Sequence, residues 1–216
     1  YGPHLVNGLE NTIIITILSF TIGFLLGLPL SILRVYAPKP LSLISIAYIE
    51  LIRGTPMVVQ LFIIYYGLPS AGIVKLTPLQ AAIIGIGINS AAYQAEYFRT
   101  ALKAIRSEQI EAALSLGMTR LQTIRYVVLP QAFRIVLPAW TNELIYLLKY
   151  SSIAMLVTVM ELTNVATWIG SRTFMYFEIY VTIAIIYLMM ATLLTRFFRT
   201  IERRIRVPVL LMVRES

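Results

Sequence analysis

Residues 11–33 read NTIIITILSFTIGFLLGLPLSIL, an unbroken run without a charged side chain between Glu10 and Arg34. A helix needs about 20 apolar residues to cross roughly 30 Å of hydrocarbon, so this run is long enough to span a bilayer. Further uncharged stretches cover 54–74, 76–95 and 179–195, the last extended outward by Phe174 to Phe177. Between 124 and 169 the chain is apolar but interrupted by Pro130, Arg134, Pro138, Glu143, Lys149 and Glu161. Prolines and charges at membrane depth are tolerated where they face protein or a water-filled cavity. That region therefore reads as one crossing built from a broken helix, then an outward-facing return segment near 157–172. The expected architecture is an all-α integral membrane protein, a single domain over 1–216. It has about five transmembrane helices, near 9–35, 48–69, 77–100, 124–150 and 174–198, and a cytoplasmic loop over 101–123.

Composition excludes the alternatives. Hydrophobic residues make up 58% of the chain and charged residues 13%, with a mean hydropathy of +0.80. A soluble domain carries about 25% charged residues, so this chain has too few to cover itself in water. The net charge of +8 would suggest nucleic acid as partner in a soluble protein. Here the basic residues lie in the gaps between apolar runs, and topology accounts for them. With the N-terminus outside, the Lys and Arg residues divide 15 to 3 in favour of the inner side. Only Lys75, Lys149 and Arg172 fall outside, and the basic tail over 196–216 lands in the cytoplasm, where it could lie along the anionic leaflet or simply end a helix. With no cysteine and a single histidine, His4, thiol chemistry and a metal site are not expected. The first apolar run is too long for a signal peptide and lacks a small-residue cleavage pattern.

The longest hydrophilic stretch, 99–125, is organised. Ser107 is placed to cap a short helix with Glu108 and Glu111 in its first turn, where acidic groups suit the helix dipole. Gly117 is placed for a left-handed stop, and Thr119 with Gln122 forms a capping-box pattern for a second short helix. Glu111-Ala112-Ala113, then Gly117, then Leu129-Pro130 resembles the E-A-A-x3-G-x9-I-x-L-P loop of bacterial ABC importer permeases, with Val127 at the Ile position. Glu50-Leu-Ile-Arg-Gly-Thr-Pro56 is similar to the E-x-x-R-G-T-P stretch of the polar amino acid branch. So is Asn142-Glu143 followed by Leu148-Lys149, although Tyr150 and Ser151 depart from the Asp-Thr usual there, and Glu108 stands where Gly often precedes Gln109.

The resemblance implies a type I importer permease fold in the bacterial plasma (inner) membrane, working by alternating access on polar L-amino acids, with basic ones as the narrower reading. It implies an ATPase-coupling helix carrying Glu111, Ala112, Ala113 and Gly117, which docks on a cytoplasmic ATP-binding cassette dimer. ATP and magnesium would bind that partner, since this chain has no G-x-x-x-x-G-K-[ST] loop. The other implied partners are a second permease copy or a paralogue and an external substrate-binding protein. Membrane lipid surrounds the chain, and nucleic acid is no partner.

Ionisable groups inside a membrane mark candidate sites. Glu143 lies nine residues beyond Arg134, about 13 Å along a helix, which puts it near mid-membrane. Asn89 and Tyr93 share a face of the third span, and Glu161, Thr163 and Asn164 follow on the return segment. Together they could line a polar cavity, with carboxylates for an ammonium or guanidinium and amides, hydroxyls or helix N-termini for a carboxylate. A structural ion pair or packing hydrogen bond is the competing role for Glu143. Glu96 reads as a local partner of Arg99, and Glu50 and Arg53 as a structural pair. Three other functions compete: an ion-gradient-driven secondary amino acid transporter, a membrane-embedded enzyme, and the methionine, metal or phosphate branch of the same importers. The first leaves the inner-loop motif unexplained, and the second lacks a convergent catalytic set.

Overall fold

The computed structural model describes residues 1–205, and every described element is helical. The chain beyond 205, with the last basic residues of the tail, lies outside the described residues. Two long apolar helices bracket the fold, α1 (Gly2–Tyr36) and α10 (Tyr176–Ile205). Between them come α2 (Lys39–Arg53), α3 (Met57–Phe62), α4 (Leu68–Ser70) and α5 (Pro78–Lys103). The short helices α6 (Ser107–Ser115) and α7 (Arg120–Thr123) lead into α8 (Leu129–Tyr150), and α9 (Leu162–Thr173) returns towards α10.

By length and apolarity two helices suffice to cross a membrane, and two bent pairs bring the number to four. The fifth long helix, α5, is 26 residues long but too polar to count by composition. Its polar groups explain why: Asn89, Ser90 and Gln94 are buried against neighbouring helices and need not face lipid.

Two expected segments differ from the structure. The segment 48–69 is not one helix, because the chain bends by 100° between α2 and the α3–α4 pair. The break falls at Gly54-Thr55-Pro56, where Pro56 holds an extended conformation (φ −64°, ψ 133°) as N-cap of α3. Gln60 holds the bend from inside, donating to the carbonyls of Ile52 (2.7 Å) and Thr55 (3.1 Å). The fourth segment is also not a broken helix. Pro130 occupies an early helical position, where its missing N–H costs least, and Pro138 is absorbed within a continuous α8. A π turn over Ile124–Val128 precedes Pro130, and a second, Ile63–Gly67, precedes Pro69 in the same way. In each the wider ring shifts the hydrogen-bond register just before a residue that has no donor.

The helix α1 packs along α5 through small residues. Gly8, Thr12, Thr16, Ser19, Gly23, Gly27 and Ser31 are all buried on one face, at spacings of three or four, with Gly8 and Thr12 meeting the start of α9 and Ser19, Gly23 and Gly27 meeting α5. Without a hydrophobic force between helices in lipid, such close approach is what holds them together. A Cβ at Gly27 would stand 2.8 Å from the Ala91 carbonyl and 3.0 Å from Gln94 Cβ. Gly27→Ala is therefore expected to destabilise the fold by about 1–3 kcal/mol through overpacking. The check is thermal unfolding in detergent. Gly67→Ala serves as control, since its Cβ would meet nothing closer than 3.8 Å. Equal melting temperatures for the two variants would refute the close-approach account.

Candidate functional site

On α5, Ser90, Tyr93 and Tyr97 recur at helical spacing, and on α8 Asn142, Glu143, Tyr146 and Lys149 turn towards them. Between the two helices lies a cavity of about 500 Å³ lined by Tyr93, Tyr97, Asn142, Glu143, Tyr146 and Lys149, with Ile145. Glu143 is 4% exposed, and no cation lies within ion-pair distance of it among the described residues. The structural ion pair is thus removed as its role. The Ser90 hydroxyl donates to Oε1 at 2.7 Å and the Tyr97 hydroxyl to Oε2 at 3.2 Å. Each oxygen accepts one bond and keeps a further acceptor position.

A directed chain supports this carboxyl group. The Trp140 indole N–H donates to Gln94 Oε1 at 2.7 Å, and Gln94 Nε2 donates to Ser90 Oγ at 3.1 Å. Trp140 is itself fixed in an aromatic cluster with Phe20, Phe24, Phe98 and Phe133. Trp140 is therefore a packing residue. Trp168 sits elsewhere, against His4 and beneath the Arg172 guanidinium at 4.3 Å.

Of the residues expected to line one polar cavity, the structure brings together only Glu143 and Tyr93. Asn89 turns to the other side of α5 and donates to Gln60 Oε1 at 3.1 Å, bracing the bend after α2. Glu161, Thr163 and Asn164 form a separate group. Glu161 is the N-cap of α9, accepting from the backbone N–H groups of Thr163 and Asn164 (both 2.8 Å) and from the Tyr187 hydroxyl (3.0 Å). Thr163 meets Tyr187 through its hydroxyl, and Asn164 Nδ2 donates to the Val159 carbonyl. The carboxyl of Glu161 is fully buried and spent on capping, so it does not reach the cavity. Glu161→Ala is expected to cost about 2–3 kcal/mol, from the lost cap and the stranded Tyr187 hydroxyl. The check is thermal unfolding, with Glu161→Asp retaining most of the stability; an unchanged Glu161→Ala would remove the capping account.

The loop after α5 is compact. Arg106, not Ser107, is the N-cap of α6, and no side chain caps its first turn. Ala113 is buried, whereas Glu111 and Ala112 are exposed. Gly117 has φ +83°, its N–H donates to the Leu114 carbonyl at 3.0 Å, and Met118 N–H donates to the Ala113 carbonyl at 3.2 Å. Thr119 and Gln122 form the full capping box. Gln131 Nε2 donates to Gln109 Oε1 at 2.7 Å and ties α6 to α8. Leu116 is 84% and Leu121 75% exposed, an apolar pair on a polar loop.

Residues 13–207 match the family described as binding-protein-dependent transport system inner membrane component. The chain belongs to that family. It is 39% identical to the probable amino-acid ABC transporter permease protein YckA of Bacillus subtilis (strain 168), over 94% of this chain and 89% of that one. It is 37% identical to the glutamine transport system permease protein GlnP of Escherichia coli (strain K12), over 95% and 94%. The crystal structure of an amino acid ABC transporter with histidines superposes with a TM-score of 0.87 at 42% identity, covering 94% of this chain and 95% of that one. The permease is accordingly a multi-pass inner-membrane component of an ABC importer, and it is not the ATPase. Membership sets aside the gradient-driven transporter and the membrane enzyme. Permeases of this kind act with an ATPase and a substrate-binding protein.

Of the residues around the cavity and Glu143, Ser90, Tyr97 and Tyr146 escaped the sequence reading, whereas Asn142 and Lys149 entered it only through the family resemblance. Tyr97 carried a signal, because it lies one turn beyond Tyr93. Ser90 carried none, because a lone serine in a glycine- and alanine-rich helix is as well explained by packing.

Proposed function

We propose that the permease moves polar α-amino acids through the cavity between α5 and α8, and that Glu143 receives the substrate's ammonium group. The observation that carries this reading is a buried carboxyl group with two neutral donors and, among the described residues, no cation partner, facing a cavity large enough for an amino acid. A carboxylate at membrane depth is costly unless a cation meets it, and a transported ammonium would be that cation. Relatives that bear the names of glutamine and arginine transport permeases support an amino acid as cargo.

In this reading the segments 9–35, 48–69, 77–100, 124–150 and 174–198 each contribute a crossing, with the N-terminus outside and the tail inside. The α6–α7 loop meets the cytoplasmic ATPase dimer through Glu111, Ala112, Leu116 and Leu121. Gly117 closes the turn, and buried Ala113 anchors α6 to the bundle. Two permease copies, or this chain and a paralogue, enclose the pathway, and an external binding protein delivers the substrate.

The test is ATP hydrolysis by the permease purified with its ATPase subunit in lipid, against a panel of amino acids. Stimulation by polar amino acids is expected. Stimulation by methionine or by non-amino-acid cargo alone would overturn the substrate class.

A further inference from the structure

Beside Tyr93, on the side of the cavity towards the C-terminal end of α5, lies an ion cluster with an uneven charge count. Glu96 on α5 accepts from Arg99 through Nε (3.0 Å) and Nη2 (2.8 Å), and from Arg34 on α1. Arg34 also lies 3.9 Å from Glu50. Arg53 lies 3.9 Å from Glu96, an ion pair outside hydrogen-bond reach and as loose as that of Arg34 with Glu50. Three guanidinium groups thus face two carboxylates, so the cluster carries one surplus positive charge, and Arg53 is its member that lies over Tyr93. That side chain is 41% exposed, and its guanidinium carbon stands 5.3 Å from the ring centroid of Tyr93, which lines the cavity. At that distance the guanidinium and the ring face attract each other.

The opposite end of the cavity carries a second cation. Lys149 lines it, six residues and about 9 Å along α8 from Glu143. No carboxylate pairs with Lys149 among the described residues. Glu143 therefore stands between Lys149 in the cavity and, beyond Tyr93, a cluster that carries one surplus positive charge among the described residues.

We propose that Lys149 and Arg53 are successive binding stations for the substrate's α-carboxylate, on either side of the ammonium anchor at Glu143. The inference rests on the reading of this cavity as the amino acid site. A zwitterion entering from the Lys149 end pairs its carboxylate there and its ammonium at Glu143. As the cavity opens towards the α6–α7 loop, the carboxylate swings past Tyr93 to Arg53 while the ammonium stays anchored. Neither charge is left unpaired in the low-dielectric interior during the exchange, which is what such a crossing needs. Lys149 then sets affinity for the carboxylate, and Arg53 sets the rate of its onward movement.

The experiment uses the complete transporter in lipid, with L-arginine and L-glutamine and their α-amides as probes. In the unaltered protein each acid is expected to bind at least about tenfold more tightly than its amide. Lys149→Met is expected to shrink that preference to below about threefold. Arg53→Gln is expected to leave affinity within about threefold but to lower acid-stimulated ATP turnover by at least about tenfold, with the amides' turnover unmoved. Arg53→Lys restores the charge and should recover the turnover, which a purely structural role for the cluster would not predict. An intact acid-over-amide preference in Lys149→Met, or equal turnover in Arg53→Gln, would overturn the stations. If Glu143→Gln weakens binding in the same preparation, that failure belongs to the stations alone. If Glu143→Gln also binds normally, the cavity reading falls with them.

Discussion

Replacing Glu143 by Gln is expected to weaken amino acid binding by about 2–3 kcal/mol, roughly 30- to 150-fold in Kd. The substitution is nearly isosteric, so packing between α5 and α8 is retained. What changes is the charge, together with one of two acceptor oxygens now used by Ser90 and Tyr97. One of those hydroxyls would meet an amide N–H₂ group and must turn to accept from it. The lost interaction is with a desolvated ammonium, and the low dielectric makes it larger than a surface pair. Calorimetric titration of the transporter in nanodiscs is the measurement. Ser90→Ala should lie between the two, because it removes a positioning donor and leaves the carboxyl. Unchanged affinity in Glu143→Gln would return that residue to a helix-packing role.

The second large effect is expected at Gly117. Its φ of +83° is one that L side chains rarely adopt, and its N–H closes the turn after α6. Gly117→Pro removes that donor and forces φ to about −65°, at a local cost of about 3 kcal/mol or more. That shifts the equilibrium between the native turn and its alternatives about a hundredfold away from the native turn. Uptake should fall by a similar factor while the bundle stays folded, since the loop lies outside the α1–α5 core. Gly117→Ala separates backbone from contact effects. Nothing lies within 4 Å of its Cβ, so only the conformational cost of about 1 kcal/mol applies, with uptake reduced about fivefold. Normal uptake by Gly117→Pro would remove the coupling role from this turn.

Much of the architecture was legible because its signals are local. Uncharged runs such as 11–33 announce long apolar helices from composition alone. The Thr119–Gln122 box and the left-handed Gly117 follow from side chains three residues apart and from a missing Cβ. The family was legible for a related reason: the E-A-A loop folds on itself, so its pattern stays contiguous in the chain. Proline was the weaker guide. Its donor is missing wherever it occurs, but whether a helix breaks, as at Pro56, or continues, as at Pro130 and Pro138, depends on the helices packed alongside.

The site itself is a tertiary fact. Asn89 and Ser90 are adjacent in the chain, yet one braces the α2–α3 bend and the other holds Glu143. Glu143 and Glu161 are both buried acids in apolar surroundings, and sequence gave no reason to separate them. Only the fold shows that Glu161 is consumed by the N-terminus of α9, whereas Glu143 keeps acceptor positions open to a cavity. Residue type and spacing dictated that this chain is helical, lies in a membrane and folds its longest hydrophilic loop on itself, because those properties arise within a few turns of one helix. Which polar groups satisfy each other and which keep acceptor positions open to the cavity depended on contacts between α5 and α8, across about 50 residues of chain. Burial makes every such group seek a partner, and only the packed structure decides which ones find it within the protein.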